Sequence, residues 1–362
     1  MERREYWAWL STVPEMYHEK IRRLLKKLKT PEDIYNTDEQ TLITRAELDR
    51  EDAIKIIKSK EMFNSKKFFE NLALLNIHFV TVDDKEYPSK LMPYDHKPFY
   101  LFYKGKLPDE KKAAVAMVGA RACSNYGRRT SKNIAKELSD RGVQIISGMA
   151  RGIDTYSGLG ALEGKTPSFA VLGCGVDICY PSENIELYEQ LCKTGGIISE
   201  YPPGSKPLAW HFPQRNRIIS GLSDKVVVIE AKEKSGSLIT VKWALEQGKD
   251  IMAVPGQINE KLSSGCNRLI KAGAGIITSA EDIVEELKYV VFNSEKHINI
   301  EEKPLEKDLT LVYSELGLQP KNIYELMENT GLEYGVLVER LLQLQLMGLA
   351  EQPAENYYIR LE

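Results

Sequence analysis

The chain has 362 residues, 43% hydrophobic and 28% charged; this length suits two or three domains, and this balance suits a soluble globular protein. It excludes a chain that is disordered throughout, and no apolar run reaches the roughly 20 residues of a membrane-spanning helix, so no membrane partner is expected. The net charge of −3 is uneven: residues 306–362 carry four basic and ten acidic side chains, a balance of −6, which leaves the body at +3.

The N-terminus has charges but no apolar core segment, so no signal peptide is expected. Five cysteines without a CxxC pair read as free thiols in a reducing cytoplasm. The five histidines are scattered and form no HExxH, so no metal site is expected.

Residues 1–70 read as a small helical module. Ile21, Leu24, Leu25 and Leu28 fall on one helix face, and Arg22, Arg23, Lys26, Lys27 and Lys29 fall on the other. Pro31 is expected to stop that helix. A second helical pattern runs over 48–57. From about residue 76 the rhythm changes. Strand-like segments at 77–82 and 99–103 precede apolar strands at 114–118, 143–147, 168–172, 196–200, 225–230, 250–254 and 275–278. Helical stretches lie between them, for example 129–141, 238–247 and 280–287. Apolar strands alternating with helices specify a mostly parallel sheet covered on both faces. The fold class is therefore α/β, a doubly wound sheet over residues 71–290, with the two early strands added at an edge. Residues 291–305 read as a linker. In 306–362, helices at 323–329 and 334–346 followed by two short strands give the element order of a winged helix.

Two nucleotide-binding signatures fail on inspection. Gly173-Cys-Gly175-Val-Asp-Ile178 has isoleucine where the dinucleotide motif needs its third glycine. Gly160 to Thr166 has the wrong spacing for a P-loop, and it ends a helix where a P-loop begins one.

Ligands of open α/β sheets sit at the C-terminal ends of the strands. Five glycine-rich segments are expected on that rim. The first holds Gly119, Arg121, Ser124, Tyr126 and Gly127. The second holds Gly148, Arg151, Gly152 and Asp154. The third holds Gly173, Gly175, Tyr180 and Pro181. The fourth holds Phe212, Arg215, Asn216, Arg217 and Ser220. The fifth holds Lys234, Ser235, Gly236 and Ser237, opening a helix. Glycines allow close backbone approach, helix N-termini offer N–H donors to an anion, and arginine grips phosphate bidentately. Tyr126, Tyr180 and Phe212 suit stacking on unpaired bases. Asp154 has a helix-capping alternative. Arg217 has the alternative of pairing with a buried acid, Glu200 or Glu230. No catalytic set, paired-carboxylate motif or cofactor motif accompanies these segments, so anion binding outweighs chemistry.

The runs Met117–Gly127, Ser147–Asp154, Ala170–Asp177 with Tyr180-Pro181, Ser199–Gly204, Phe212–Leu222, Lys234–Thr240 and Val254–Gly256 through Asn267 resemble, in order and spacing, the DprA/Smf family of DNA-processing proteins. The resemblance covers about residues 75–280. The N-terminal module (SAM/helix-hairpin-helix-like in the family) and the winged helix sit where that family has them. It implies an extended Rossmann domain that binds single-stranded DNA without catalysis. It also implies protection of incoming DNA in natural transformation and recombination, loading of the RecA recombinase, and a homodimer. Arg121 matches the family's Gly-x-Arg arginine in the DNA pocket. Ser182 stands where many members have lysine. The rival reading is an enzyme cleaving nucleoside monophosphates at the N-glycosidic bond. Such enzymes carry a PGGxGT-type loop, whereas here Pro255-Gly256 continues as Gln-Ile-Asn. A duplex-binding regulator is disfavoured by the acidity of 306–362.

Overall fold

The computed structural model describes residues 1–287, 307–317, 320–346, 349–354 and 356–360. The chain forms two compact units, Met1–Val291 and Phe292–Glu362. The expected linker at 291–305 lies outside the described residues.

The first unit opens with six helices: α1 (Arg3–Thr12), α2 (His18–Leu28), α3 (Pro31–Asn36), α4 (Glu39–Thr44), α5 (Arg50–Met62) and α6 (Ser65–Leu74). In α2 the apolar stripe buries Ile21, Leu24 and Leu28, and the basic stripe faces out. Pro31 does more than stop α2. Lys29 ends that helix with φ of 71°, and Pro31 then occupies the first turn of α3 behind the Thr30 cap. There its missing N–H costs nothing.

The helices are anchored to the first two strands, β1 (His78–Thr81) and β2 (Tyr100–Gly105), and to the segment between them. Trp7 stacks on Phe99 at 5.6 Å and donates Nε1–H to Asp83 at 2.6 Å. His18 stacks on the same phenylalanine at 5.3 Å. Phe68 meets Phe79 and Phe102 edge-on. One continuous buried cluster therefore runs from Trp9, Leu24 and Ile56 through Phe79 and Phe102 to Leu172 and Ile197.

The sheet continues with β3 (Ala114–Val118), β4 (Gln144–Ser147), β5 (Ser168–Val171), β6 (Gly196–Ser199), β7 (Lys225–Val228), β8 (Ile251–Ala253) and β9 (Gly275–Ile276). Between them lie α7 (Asn125–Asp140), α8 (Ile153–Leu162), α9 (Ile185–Thr194), α10 (His211–Gly221), α11 (Ser237–Glu246) and α12 (Ser264–Lys271); residues 280–287 form α13. The strand order is β1-β2-β6-β5-β4-β3-β7-β8-β9. β1 and β2 are antiparallel additions at one edge, and β2 joins β6 antiparallel; the others pair in parallel. β3 through β7 bury every residue, as expected for a sheet covered on both faces. β3 lies between β4 and β7, with Val115 opposite both Ile145 and Lys225. The chain thus reverses its winding direction at β3/β7. That is the crevice where doubly wound folds hold ligands.

Gly160 shows why its segment only imitates a P-loop. It lies inside α8, and a Cβ there would strike the Lys132 carbonyl of α7. The glycine serves helix packing.

The second unit contains α14 (Lys307–Glu315), β10 (Lys321–Asn322), α15 (Ile323–Thr330), α16 (Tyr334–Leu346), β11 (Ala350–Ala354) and β12 (Tyr357–Arg360). Its strands order as β10-β12-β11. Its core gathers Val312, Leu326, Leu337, Leu341, Leu344 and Tyr358. α14 was not legible from periodicity. Gly331 ends α15 in the left-handed region with φ of 67°, where glycine carries no Cβ penalty.

Candidate nucleic-acid interface

At the β3/β7 reversal a cleft of about 410 Å³ opens between the loops after those strands and the first turns of α10 and α11. Arg121, Arg215, Asn216, Ser235, Gly236 and Ser237 line it together. So do Phe212 and Lys234, both expected on the rim, and Lys232, which was not. A smaller recess beside it is walled by Arg121, Gly148, Arg151, Tyr180, Phe212 and Arg215. The N-cap residues of α10 and α11 make no side-chain cap bond, but the first N–H groups are engaged locally: His211 by the Leu208 carbonyl, Ser237 by the Ser235 hydroxyl, and Leu238 and Ile239 by the Ser235 and Gly236 carbonyls.

The arginines have separate roles. Arg121 is exposed on the rim, with its guanidinium 5.7 Å from the centre of the Phe212 ring. Arg215 is buried beneath it, 5.9 Å from the same ring. The Arg215 Nη1 donates to the Gly148 carbonyl at 2.9 Å and to that of Val171. The ends of β4 and β5 therefore hold this cation in place. Burial lowers its pKa to about 10, which leaves it charged at neutral pH. Arg151 is exposed but engaged by both carboxylate oxygens of Glu183. Arg217 is not a rim residue at all. It is buried on the opposite face of α10, and it donates to Glu200 at 2.8 and 2.5 Å and to the His96 carbonyl at 2.8 Å. The buried-acid alternative holds for it, with Glu200 as the partner.

Asp154 sits under the same loops. Its Oδ2 accepts from the Gly148 N–H at 3.0 Å and the Ala150 N–H at 3.4 Å. It thus ties down the loop before α8, while Gly152 occupies the helix cap. Burial pushes its carboxyl up to about 6, against the pull of Arg215.

Ser124 is also structural. Its hydroxyl caps α7 by accepting from the Gly127 N–H at 3.0 Å, and it donates to the buried Glu230 carboxylate. A ligand would have to displace both contacts. Most of the expected glycines likewise make room for protein and not for a ligand. A Cβ at Gly127 would meet the Glu230 carboxylate, one at Gly119 would meet Ile153, and one at Gly148 would meet Arg215 and Asp154. At Gly173 the Phe212 ring fills the space, and at Gly175 the Asp177 carboxylate does. Gly152 has φ of 75° and would press on the Ala120 and Arg121 carbonyls. Only Gly236, of these positions, faces open space.

Tyr126 and Tyr180 are exposed. The Tyr180 ring lies 5.4 Å from that of Phe212, so an aromatic pair borders the recess next to Arg121. Tyr126 lines neither the cleft nor the recess. His211 is buried and donates Nδ1–H to the Gly173 carbonyl at 2.9 Å.

Comparison with known proteins gives one family. The model for DNA recombination-mediator protein A matches residues 78–288. The DNA processing protein DprA of Streptococcus pneumoniae is 44% identical over 58% of this chain and 74% of its own length. The Smf protein of Escherichia coli is 38% identical over 79% of this chain and 78% of its own. Among solved structures, the X-ray structure of the Streptococcus pneumoniae protein superposes with a TM-score of 0.68 at 32% identity, over 79% of this chain and 98% of that one. A structure of the Helicobacter pylori DNA processing protein A, solved for its single-stranded DNA binding mode, gives 0.53 at 28% identity over 59% and 98%. With its sheet, its rim segments and these relatives in agreement, the chain belongs to the DNA recombination-mediator protein A family, the DprA/Smf proteins.

Proposed function

We propose that this protein binds single-stranded DNA, without chemistry, on the cleft at the β3/β7 reversal. The observation that carries the reading is the grouping of Arg121, the anchored Arg215, Lys232 and Lys234 around the Phe212 and Tyr180 rings. Cations track a phosphate backbone while aromatic faces accept bases of any sequence. The Helicobacter pylori relative, described by its single-stranded DNA binding, supports the same ligand here. The expected rim residues then divide. Arg121, Arg215, Asn216, Tyr180, Ser235, Gly236 and Ser237 face the strand, while Ser124 and most glycines shape the loops.

The biological role that fits is protection of incoming strands and their delivery to RecA in transformation and recombination, in the cytoplasm and as a homodimer. Ile276 on the edge strand β9 and Ile258 in the loop after β8 are exposed, which supports a self-contact at that edge. Residues 306–362, read as a winged helix, carry a balance of −6. They also expose Tyr324, Tyr334 and Leu342. Such a surface suits a protein partner better than duplex phosphates.

The test is fluorescence anisotropy with labelled poly-dT at two salt concentrations, beside incubation with AMP. Salt-sensitive binding and intact AMP are expected. Free adenine without DNA binding would install the nucleotide-hydrolase reading instead.

Binding should also respond to pH through Asp154. As pH falls through about 6, that carboxyl gains a proton and stops offsetting the Arg215 charge. Affinity for poly-dT should therefore rise between pH 7.5 and 5.5, and the part of the rise due to Asp154 should vanish in Asp154→Asn. Anisotropy titrations of both proteins across that range check it.

A further inference from the structure

The first turn of α10 is a wall between two cavities. Phe212, Arg215 and Asn216 face the cleft described above. Trp210, His211 and Gln214 face a second cavity of about 450 Å³, closed on its far side by the start of α2 and the loop before it. That volume is in the range of small-ligand sites, about 300–1,000 Å³.

The second cavity has an aromatic border. Trp210 is exposed, 4.3 Å from Tyr17 between ring centres. Behind it His211 stacks on Tyr201 at 3.8 Å. Its charges are unequal in availability. Each acid on its wall is already engaged: Glu15 by Lys55, Glu19 by Arg22, and Glu200 by Arg217. Lys20 is bound to Asp52. Arg23 and Lys206 line the cavity and have no acidic partner among the described residues. From Arg23 the exposed basic stripe of α2 continues through Lys26 to Lys29.

We propose that this cavity is a second nucleotide subsite for the strand held on the rim. The strand crosses the first turn of α10, one base stacks on Trp210, its phosphates meet Lys206 and Arg23, and the chain leaves along the basic stripe of α2. The proposal rests on the single-stranded DNA reading. It also gives that exposed basic stripe a ligand.

The test compares labelled dT oligomers of about 6 and about 20 nucleotides, the short one sized for a single site, on the full chain and on Trp210→Ala and Arg23→Glu. In each variant the long oligomer should lose about tenfold in affinity, the scale of one stacked base, while the short one binds as to wild type. Trp210 fluorescence should be quenched by the long oligomer only, and Trp210→Phe should remove that quench. Equal binding of the long oligomer by variants and wild type overturns the subsite. An equal loss at both lengths also overturns it, because it makes Trp210 and Arg23 parts of the rim site. If wild type binds neither oligomer, the single-stranded DNA reading itself fails and the subsite falls with it. Thermal melts of the variants separate these results from misfolding.

Discussion

Arg217→Ala is expected to destabilise the first unit by about 3–5 kcal/mol, the scale for breaking one side of a buried ion pair. Arg217 is 2% exposed. Its guanidinium satisfies Glu200 with both terminal nitrogens and holds the His96 carbonyl through Nε. Removing it leaves the Glu200 carboxylate, itself 11% exposed, with no counter-charge and little water. The loss arises mainly from that stranded anion and only partly from the lost contacts. Arg217→Met combined with Glu200→Leu should therefore recover most of the stability, since an apolar pair of similar volume is often neutral in such sites. Urea unfolding of the two variants measures both values. A loss below about 1 kcal/mol in the single variant would contradict a buried, mutually dependent pair.

The opposite pattern is expected for Arg121→Ala. This side chain is exposed and makes no ion pair among the described residues, so unfolding should shift by less than about 0.5 kcal/mol. Binding should change much more. A charge-assisted hydrogen bond contributes about 1.5–3 kcal/mol, so poly-dT affinity should fall roughly 10- to 100-fold. The log–log salt slope should become shallower by about 0.7, the share of one phosphate contact on a single strand. Arg121→Lys should fall between, since it keeps the charge but loses the planar fork that grips two phosphate oxygens. Anisotropy at several salt concentrations reads all three numbers. Unchanged affinity in Arg121→Ala would move the strand off the rim, most directly onto the basic stripe of α2.

Two arginines in one family-like motif, Arg215 and Arg217, thus end in different places, one under the rim and one across the helix. Sequence offered Arg217 a buried acid as an alternative partner but could not decide between that and the rim, because the decision depends on which face of α10 meets the sheet. Although β10 was not foreseen, the nine strands of the main sheet were legible, each within a few residues of its final ends, because they are mostly apolar and bounded by glycine and polar turns. Their order was not. The reversal at β3/β7 exists only in three dimensions, and it is what brings Lys232 and Lys234 to the cleft. Lys232 looked like an ordinary loop charge, whereas Lys234 already stood in the fifth rim segment. The rim glycines misled for a related reason. Glycine marks close approach, but sequence does not say whether the approaching atoms belong to a ligand or to Glu230, Ile153 and Phe212. Ser124 followed the same logic, as a cap on α7.

The shared aromatic core of the N-terminal helices and the sheet bears on where this protein can be cut. The stretch matched by the family model begins at residue 78, which invites a truncation there. Such a fragment would lose Trp7, His18 and Phe68, and it would leave Phe79, Phe99 and Phe102 facing water. It would present a sticky aromatic sheet face to its neighbours in solution. The boundary that homology draws is therefore not the boundary at which the polypeptide can stand alone. A soluble fragment that keeps the strand-binding rim has to begin at the first helix, with its tryptophans still in place.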